Sequence, residues 1–313
     1  MDTLKIRLLG GFELQRGNAI LIAPPTPKSR SLLAFLVLNR DRLAPRETVC
    51  ALLWPDESEA AARKALRTAL WRIRCAIEPG EDDSDRFVYG DAHQIGFRES
   101  ERVWVDAWAF EDAIAAADAK PDEALDLADG EAMAQAAALY RGDYAAGVYD
   151  DWLAAEQARL RLAHLALIER IVAFHRRRER WLQAIAWAER ALSRDPLREH
   201  LHRAVMACHM SIGDRPSALR QYARCEAALK AELGIAPMAE TRALRDTIRT
   251  EAPFHPPDAA AEPPLRRHAA GPGAPRERLG SEVDAALSAL RKVAQRLDEA
   301  RAEARSAGRA RSR

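Results

Sequence analysis

The sequence predicts a mainly α-helical protein, with a small α+β domain over residues 1–102 and an all-α array over residues 103–251. Short apolar runs separated by glycine turns predict a sheet at the N-terminus. A cationic, amphipathic stretch at Ser58–Ile77 predicts one long helix with two unlike faces. A repeat with a period of 34 residues in the second half predicts stacked helices. The 313 residues are rich in Ala, Leu and Arg, which also favours helix.

Three short strands are expected at the start of the chain, because glycine dipeptides between apolar runs are typical of tight hairpin turns. The expected strands are Leu4–Leu8, Phe12–Gln15 and Ala19–Ile22. A proline cluster at residues 24–27 then ends the sheet. Two helices are expected next, over about Lys28–Asn39 and Arg46–Trp54, and prolines bound the second at both ends.

The Ser58–Ile77 helix is the most informative stretch of the chain. At about 100° per residue, its large apolar side chains fall in one narrow stripe with two alanines beside it. The stripe consists of Leu66, Leu70, Ile73 and Ile77, flanked by Ala62 and Ala69. The other faces of the helix carry five basic side chains and one acid, Glu59, with Thr68 and Trp71 nearly opposite the stripe. Either the helix is an ordinary solvated one with Arg favoured for solubility, or it packs on one side and enters a DNA major groove on the other.

The elements around this helix favour the groove interpretation. An acidic loop from Glu78 leads to RFVYGDAHQIGFR, where aromatic and aliphatic residues flank a Gly-Asp turn, so a hairpin is expected there. The resulting order is three strands, three helices and a hairpin. Two helices would support a third in the major groove, and the hairpin would lie beside it as a wing that reaches the backbone or minor groove. This arrangement is a winged helix-turn-helix.

Three segments together resemble the antibiotic regulatory protein (SARP) family of bacterial activators: LLGGFEL, PKSRSLLAFLVLNRDRLAPRETVCALLWPDE and ARKALRTALWRIRCAI. The resemblance covers about Leu4–Thr250. It implies a winged helix of the response-regulator type, followed by a bacterial transcriptional activator domain built as a tetratricopeptide-like helical array. It also implies an activator that binds direct repeats near promoters and contacts RNA polymerase.

Helical geometry and the resemblance together predict the DNA-binding residues. Those expected to face the groove are Lys64, Arg67, Thr68 and Trp71. Those expected to contact phosphates are Arg63, Arg72, Arg74, Lys28 and Arg30, and those expected from the wing are Arg86 and His93. Family members often carry Asn where this chain has Lys64. Asn reads adenine, whereas Lys suits guanine or a phosphate, so this departure leaves the operator sequence open.

Some of these residues also have plainer interpretations. Trp71 is expected to pack against the wing or a sugar rather than to contact a base. His93 is a common kind of polar turn residue. Lys28 and Arg30 lie on the first turn of their helix, where exposed amides and the positive helix end favour a phosphate.

A repeat characterises the second domain. WLQAIAWAERALSRDP aligns with RPSALRQYARCEAAL at an offset of 34 residues, the tetratricopeptide period, in which small residues allow close helix packing. The aligned pairs are Ala184 with Ala218, Ala188 with Tyr222 and Ala191 with Cys225. A last helix is expected to be entered at Pro237. Such an array is more often an interaction surface than a catalytic site.

A metal site and disulfide bonds are not expected. A cluster in the array invites a metal interpretation, but two of its histidines point to different faces of one helix. The cluster consists of His200, His202, Cys208 and His209. Cys50, Cys75, Cys208 and Cys225 include no CxxC pair and are expected to be reduced, part-buried thiols, with a redox sensor as the alternative.

Several classes of function are excluded or disfavoured by the sequence. No P-loop, dinucleotide glycine fingerprint, GxSxG or HExxH motif occurs, so neither an enzyme nor a cofactor is expected. The net charge of +1 requires any nucleic-acid surface to be local. No apolar run approaches about 20 residues and no secretion signal is present, so we expect a cytoplasmic protein without membrane contact.

The tail is expected to fall into three parts. Residues 252–280 are rich in Pro and Ala and predict a disordered linker. Residues 281–306 alternate apolar spacings of four and three, which predicts a weak dimerising coiled coil or a single amphipathic helix that seeks a partner. Residues 307–313 form a basic end, either simply solvated or adding nonspecific phosphate affinity.

The leading hypothesis is a sequence-specific transcriptional regulator, an activator by resemblance, that binds double-stranded DNA as a homodimer and contacts RNA polymerase. The alternative is a tetratricopeptide-type interaction scaffold whose N-terminal domain docks protein rather than DNA. The cationic helix favours the first hypothesis, because a scaffold has no need of five basic residues opposite a leucine stripe.

Overall fold

A computed structural model describes residues 3–78 and 86–250 of the chain. The predicted linker at 252–280, the predicted helix at 281–306 and the basic end at 307–313 lie outside the described residues. The architecture is mainly α-helical, with a small α+β winged helix followed by an array of helices, as the sequence predicts.

The N-terminal sheet has four strands in the order β3-β2-β1-β7. The strands are β1 Leu4–Arg7, β2 Glu13–Arg16, β3 Ala19–Leu21 and β7 Val103–Val105. The first three form the expected antiparallel meander, so this prediction is confirmed. The fourth strand was not predicted: it pairs in parallel with β1, placing Val103 beside Leu4 and Val105 beside Ile6.

Three helices and a small second sheet complete the winged helix. The helices are α1 Pro27–Leu38, α2 Arg46–Leu53 and α3 Glu59–Ile77. The second sheet runs β4-β6-β5, with β4 Ala44–Pro45, β5 Val88–Gly90 and β6 Gln94–Phe97. The side chains of Thr26 and Ser58 accept hydrogen bonds from backbone amides at the starts of α1 and α3, which fixes where these helices begin. The antiparallel pairing of β5 with β6 confirms the predicted hairpin. The two-residue strand β4 was not predicted.

The second half of the described chain is an array of helices. Its helices are α4 Asp106–Asp118, α5 Leu127–Leu139, α6 Asp151–Arg177, α7 Trp181–Leu192, α8 Glu199–Ser211, α9 Arg215–Leu233 and α10 Ala239–Arg249. A short 3-10 helix, Asp122–Ala124, joins α4 to α5. Neighbours in sequence pack against each other from α6 to α9, as expected for a tetratricopeptide-like array.

The predicted repeat is confirmed by burial. Its six aligned positions all lie on α7 and α9, and each is at most 5% exposed. Five of them are small residues, Ala or Cys, which lets the helices approach closely. Tyr222 is the exception, and its ring packs in the cluster with Met206 and Ile248 that closes the end of the array.

Asp106 joins the winged helix to the array. Its buried carboxylate accepts hydrogen bonds from Leu8 N and Leu9 N, each at 2.9 Å, and from Ala107 N at 2.8 Å. Burial raises the pKa of Asp106, and the three amide donors act against that rise. The carboxylate thus fastens the end of β1 to the start of α4. The predicted boundary between residues 102 and 103 stays a prediction, and the hydrophobic core runs continuously across it.

The turn after β1 meets the segment before α6 through backbone contacts. Gly10 N donates to Asp143 O at 3.1 Å, and Ala145 N donates to Leu8 O at 2.7 Å. A Cβ on Gly10 would lie 2.6 Å from Gly142 N, and the φ of Gly10 is +98°. Glycine at position 10 therefore serves two purposes, the turn and the close approach to Gly142.

Three aromatic side chains from the array hold α1 at successive turns. Trp108 Nε1 donates to Val37 O at 2.7 Å, Tyr144 Oη donates to Ala34 O at 2.9 Å, and Trp152 Nε1 donates to Ser31 Oγ at 3.1 Å. Burial raises the pKa of Tyr144 well above its usual value, so this hydroxyl remains a donor. Since α1 also packs on α3, the array is connected to α3 through α1.

Replacing Gly10 by Ala tests the backbone contact with Gly142. We expect Gly10→Ala to lower the free energy of unfolding by about 2–5 kcal/mol, because the new Cβ meets backbone and the left-handed φ is strained. Gly11→Ala is the matched control, since a Cβ at Gly11 has nothing within 4 Å. Denaturant unfolding of both variants measures the difference, and equal stabilities would contradict the assignment.

The buried His164 predicts acid sensitivity of the array. Burial, and then the nearby Arg194, lower the pKa of His164 to about 4, while an unfolded histidine titrates near 6.5. The contribution of the neutral His164 to the free energy of unfolding is therefore complete above about pH 6.5. It is lost as the pH falls toward 4, because in this range only the unfolded state takes up the proton. Between pH 7.5 and 4.5 we expect a loss of about 2–3 kcal/mol that is missing in His164→Gln. Parallel stability profiles for the two proteins would refute this.

Candidate nucleic-acid interface

The helix α3 separates an apolar face from a polar one as predicted. Its buried residues are Ala62, Leu66, Ala69, Leu70, Ile73 and Ile77, which are the six residues of the predicted stripe and its flanks. Its exposed residues include Arg63, Lys64, Arg67, Thr68, Trp71 and Cys75. The apolar stripe packs on α1 and α2, so the winged helix presents the opposite, cationic side to solvent.

Lys64 and Arg67 are the exposed cations at the centre of this surface. Within the described residues, neither side chain has a hydrogen bond or an ion pair with another group. Thr68 Oγ1 donates to Lys64 O at 3.1 Å, one turn earlier, which leaves its own lone pairs facing outward. The structure therefore brings the three predicted groove-facing polar residues together on one exposed face.

Trp71 continues the same face and is 64% exposed. No ring contact or indole hydrogen bond connects Trp71 to the hairpin within the part of the chain that is described. Packing of the indole on other groups of the wing stays a prediction. An exposed indole between cations can stack on a sugar or fill an apolar pocket, so its role stays a prediction.

Arg63 lies at the N-terminal end of the surface and is held by two carboxylates. Its guanidinium is 3.2 Å from Glu47 on α2 and 2.5 Å from Glu59 one turn earlier on α3. All three side chains are more than half exposed. The phosphate contact predicted for Arg63 thus has two competitors within the protein.

Arg72 and Arg74 are half-buried and make structural contacts. One Arg72 guanidinium nitrogen donates to Thr26 Oγ1 at 3.3 Å, joining α3 to the start of α1. One Arg74 nitrogen donates to Val88 O at 3.3 Å, joining α3 to the hairpin. Their predicted phosphate contacts would add to these roles and stay predictions.

Lys28 and Arg30 are also engaged within the protein. Lys28 Nζ is 2.6 Å from Asp150 Oδ1, and Asp150 is the residue before α6. Arg30 Nε donates to Pro24 O at 2.9 Å, which holds the loop before α1. Both cations border the N-terminus of α1, as predicted, but neither is an unengaged phosphate ligand.

The hairpin is anchored to the end of α3 by a buried acid. Glu78 Oε1 accepts a hydrogen bond from Val88 N at 2.7 Å, and burial raises the pKa of this carboxyl. Glu78 is the first residue of the predicted acidic loop, and its burial was not predicted. Its neighbours at 79–85 lie outside the described residues.

The tip of the hairpin is joined to the start of α2 by a cation that was not predicted to take part in the site, Arg46. Arg46 Nε donates to Asp91 O at 2.8 Å, and Arg46 N donates to His93 O at 2.8 Å. Burial and then the positive charge of Arg74 lower the pKa of Arg46. His93 is exposed and Arg86 is half-buried. The sequence signal that could have indicated this role of Arg46 is its position directly after Pro45, at the start of a predicted helix.

The histidine cluster of the array makes local contacts. His202 Nδ1 lies 2.9 Å from Gln221 Nε2, and His200 Nε2 lies 2.9 Å from Glu169 Oε1. Among the described residues, no group of three or more metal-ligating side chains occurs. Cys50, Cys208 and Cys225 are buried, whereas Cys75 is exposed, so the expectation of a part-buried thiol is wrong at Cys75.

None of the helices described is long and apolar enough to cross a bilayer.

The fold and the exposed face of α3 define the class of the protein: a winged-helix protein with a tetratricopeptide-like array. Residues 105–249 match the family model described as "Bacterial transcriptional activator domain". This part of the chain is therefore similar to bacterial transcriptional activator domains, and the resemblance to SARP-type transcriptional activators is confirmed.

Two regulatory proteins illustrate the similarity. "Regulatory protein AfsR" of Streptomyces coelicolor is 28% identical over 246 residues, which cover 78% of this chain and 24% of AfsR. The chain thus spans about a quarter of the length of AfsR. "Transcriptional regulatory protein MoaR1" of Mycobacterium tuberculosis is 25% identical over 276 residues, which cover 80% of this chain and 81% of MoaR1.

A solved structure shares the fold. "Mycobacterium tuberculosis EmbR in complex with low affinity phosphopeptide" superposes with a TM-score of 0.62 and 20% sequence identity, covering 93% of this chain and 71% of that one. At this identity the likeness concerns the architecture alone.

Proposed function

We propose that the chain is a sequence-specific, double-stranded DNA-binding transcriptional regulator that inserts α3 into the major groove. The observation that carries the proposal is the exposed face of α3, where Lys64, Arg67 and Thr68 lie together opposite a buried apolar stripe. Lys and Arg in the major groove contact guanine, and the threonine hydroxyl can contact any base edge or a phosphate. Regulatory relatives support the same proposal.

The surrounding cations would position the duplex. Arg72 and Arg74 lie beside the exposed face, and the β5–β6 hairpin with Arg86 and His93 would follow the adjacent backbone or minor groove. Lys28 and Arg30 at the start of α1 would add phosphate contacts. These contacts carry affinity, whereas the three central residues of α3 carry sequence preference.

The rest of the proposal follows the class of the protein. The helical array would be the activating part, with RNA polymerase as its partner, and two copies would bind direct repeats near promoters as a homodimer on DNA. We place the protein in the cytoplasm, and we propose neither a catalytic activity nor a cofactor.

A salt series tests the proposal against a protein-docking scaffold. For a duplex that the chain enriches from a randomised pool, log affinity should fall linearly with log salt, with a slope of about −0.9 per phosphate neutralised. Fluorescence anisotropy with the full chain measures this slope. A lack of duplex binding at low salt would overturn the DNA proposal and leave the scaffold.

Arg67→Ala and Arg72→Ala separate base contacts from phosphate contacts. Arg67→Ala should cost about 1–3 kcal/mol on the enriched duplex and relax its sequence preference, since Arg67 faces the bases. Arg72→Ala should weaken enriched and random duplexes alike and reduce the salt slope by about 1. Thermal unfolding of Arg72→Ala controls for loss of its contact with Thr26. If both variants retain wild-type binding, the groove assignment is wrong.

A further inference from the structure

The N-terminal end of α3 carries a charge arrangement that the groove assignment does not explain. Arg63 is exposed like Lys64 and Arg67, but it alone of the three is paired with carboxylates among the described residues. Glu47 reaches it from α2, and Glu59 reaches it along α3. The group formed by Arg63, Glu47 and Glu59 therefore has a formal charge of −1. One turn further along the helix, the exposed face is positive.

Both carboxylates also sit where a phosphate would otherwise be attracted. Glu47 lies in the first turn of α2 and Glu59 lies in the first turn of α3. Helix N-termini expose amide donors and the positive end of the helix dipole, and both features attract anions. The two glutamates therefore offset two helix ends as well as one guanidinium.

The arrangement is open enough to exchange partners. The side chains are 53% exposed for Arg63, 79% for Glu47 and 74% for Glu59, and they border a cleft of about 410 Å³ between α2 and α3. Exposed ion pairs are weak, so a phosphate held close by other contacts can take Arg63 from them. A phosphate without such support meets carboxylates and an occupied guanidinium.

We propose that Glu47 limits the affinity of the DNA interface, because together with Glu59 it withholds Arg63 from phosphates until base contacts bring the duplex close. The inference rests on the proposed DNA-binding function. On a correct site, Lys64 and Arg67 supply the contacts that bring the backbone to Arg63. On other sequences those contacts are missing, and Arg63 stays with its carboxylates. Glu47 thereby lowers affinity for a correct site by the free energy of the ion pair that the phosphate has to break.

Glu47→Gln tests this role, because the amide keeps the size of the side chain and removes its charge. We expect its affinity for the duplex enriched by the wild-type chain to rise about three- to fivefold at low salt, because the phosphate no longer has to break that ion pair. On a random-sequence duplex the affinity should rise by no more than this, and the salt slope there should steepen by up to about 1, since Arg63 can now reach a phosphate. Unchanged affinity for the enriched duplex would overturn the proposal.

Two further variants separate this role from a general effect of charge. Glu240→Gln makes the same change in net charge on the exposed face of α10, and it should leave both affinities unchanged. An equal rise in Glu240→Gln would overturn the proposal. In an Arg63→Ala background, the effect of Glu47→Gln on the enriched duplex should fall by at least half, because its main partner is gone. An undiminished effect would show that Glu47 does not act through Arg63.

The outcomes also distinguish this inference from the function on which it rests. If the wild-type chain binds no duplex at low salt, both the DNA proposal and the role of Glu47 are wrong. If the wild-type chain binds duplex and Glu47→Gln leaves both affinities and the salt slope unchanged, only the role of Glu47 is wrong. Thermal unfolding of each variant establishes that the compared proteins are folded.

Discussion

The buried carboxylate of Asp106 is the interaction on which the architecture depends. It satisfies two amides at the end of β1 and one at the start of α4, where no other acceptor is supplied by the strand pairing. An unsatisfied buried amide costs about 1–3 kcal/mol, so the carboxylate offsets a large local penalty. Because β7 leads directly into α4, the same residue also fixes the edge strand of the sheet. The position of the array relative to the winged helix is thus set by hydrogen bonds from backbone amides to this carboxylate as well as by side-chain packing.

Helix α1 transmits that position to the DNA-facing surface. One side of it receives Trp108, Tyr144 and Trp152 from the array, and another side packs on α3. A displacement of the array would therefore move α1, and with it the packing surface on which α3 lies. Closely packed elements shift between discrete arrangements instead of deforming continuously. The contact of Lys28 with Asp150 lies at the same junction, beside the start of α1.

The sequence predicts those features whose physical origin is local. The apolar stripe of α3 follows from helical periodicity, and the buried alanines of α7 and α9 follow from a regular repeat. Strand β7 could not be predicted in this way, because three residues carry too little pattern and its partner β1 lies almost a hundred residues earlier. The sequence predicts an acidic loop from Glu78, but it does not indicate that this carboxylate is buried and accepts a hydrogen bond from a backbone amide ten residues away.

The candidate site also combines features that follow from local sequence with features that depend on distant residues. The exposed face of α3 could be derived from spacing alone, whereas the internal partners of its flanking cations could not. Glu47 is 16 residues from Arg63, and Asp150 is 122 residues from Lys28, so no local pattern connects either pair. Sequence reasoning therefore overestimated how many cations are unengaged, because it had no means of placing the opposing carboxylates.

The strand β7 has a consequence for how such proteins can be recombined. A chimaera joined at residue 102 would take its DNA-reading half from one parent and its edge strand from the other, because β7 is encoded on the far side of that junction. If the β7 of the second parent does not dock on this β1, the flank of β1 keeps unpaired backbone groups that are open to pairing with another chain. Exchange of binding specificity between relatives would therefore require a graft that continues through Asp106, or an exchange of exposed α3 residues alone.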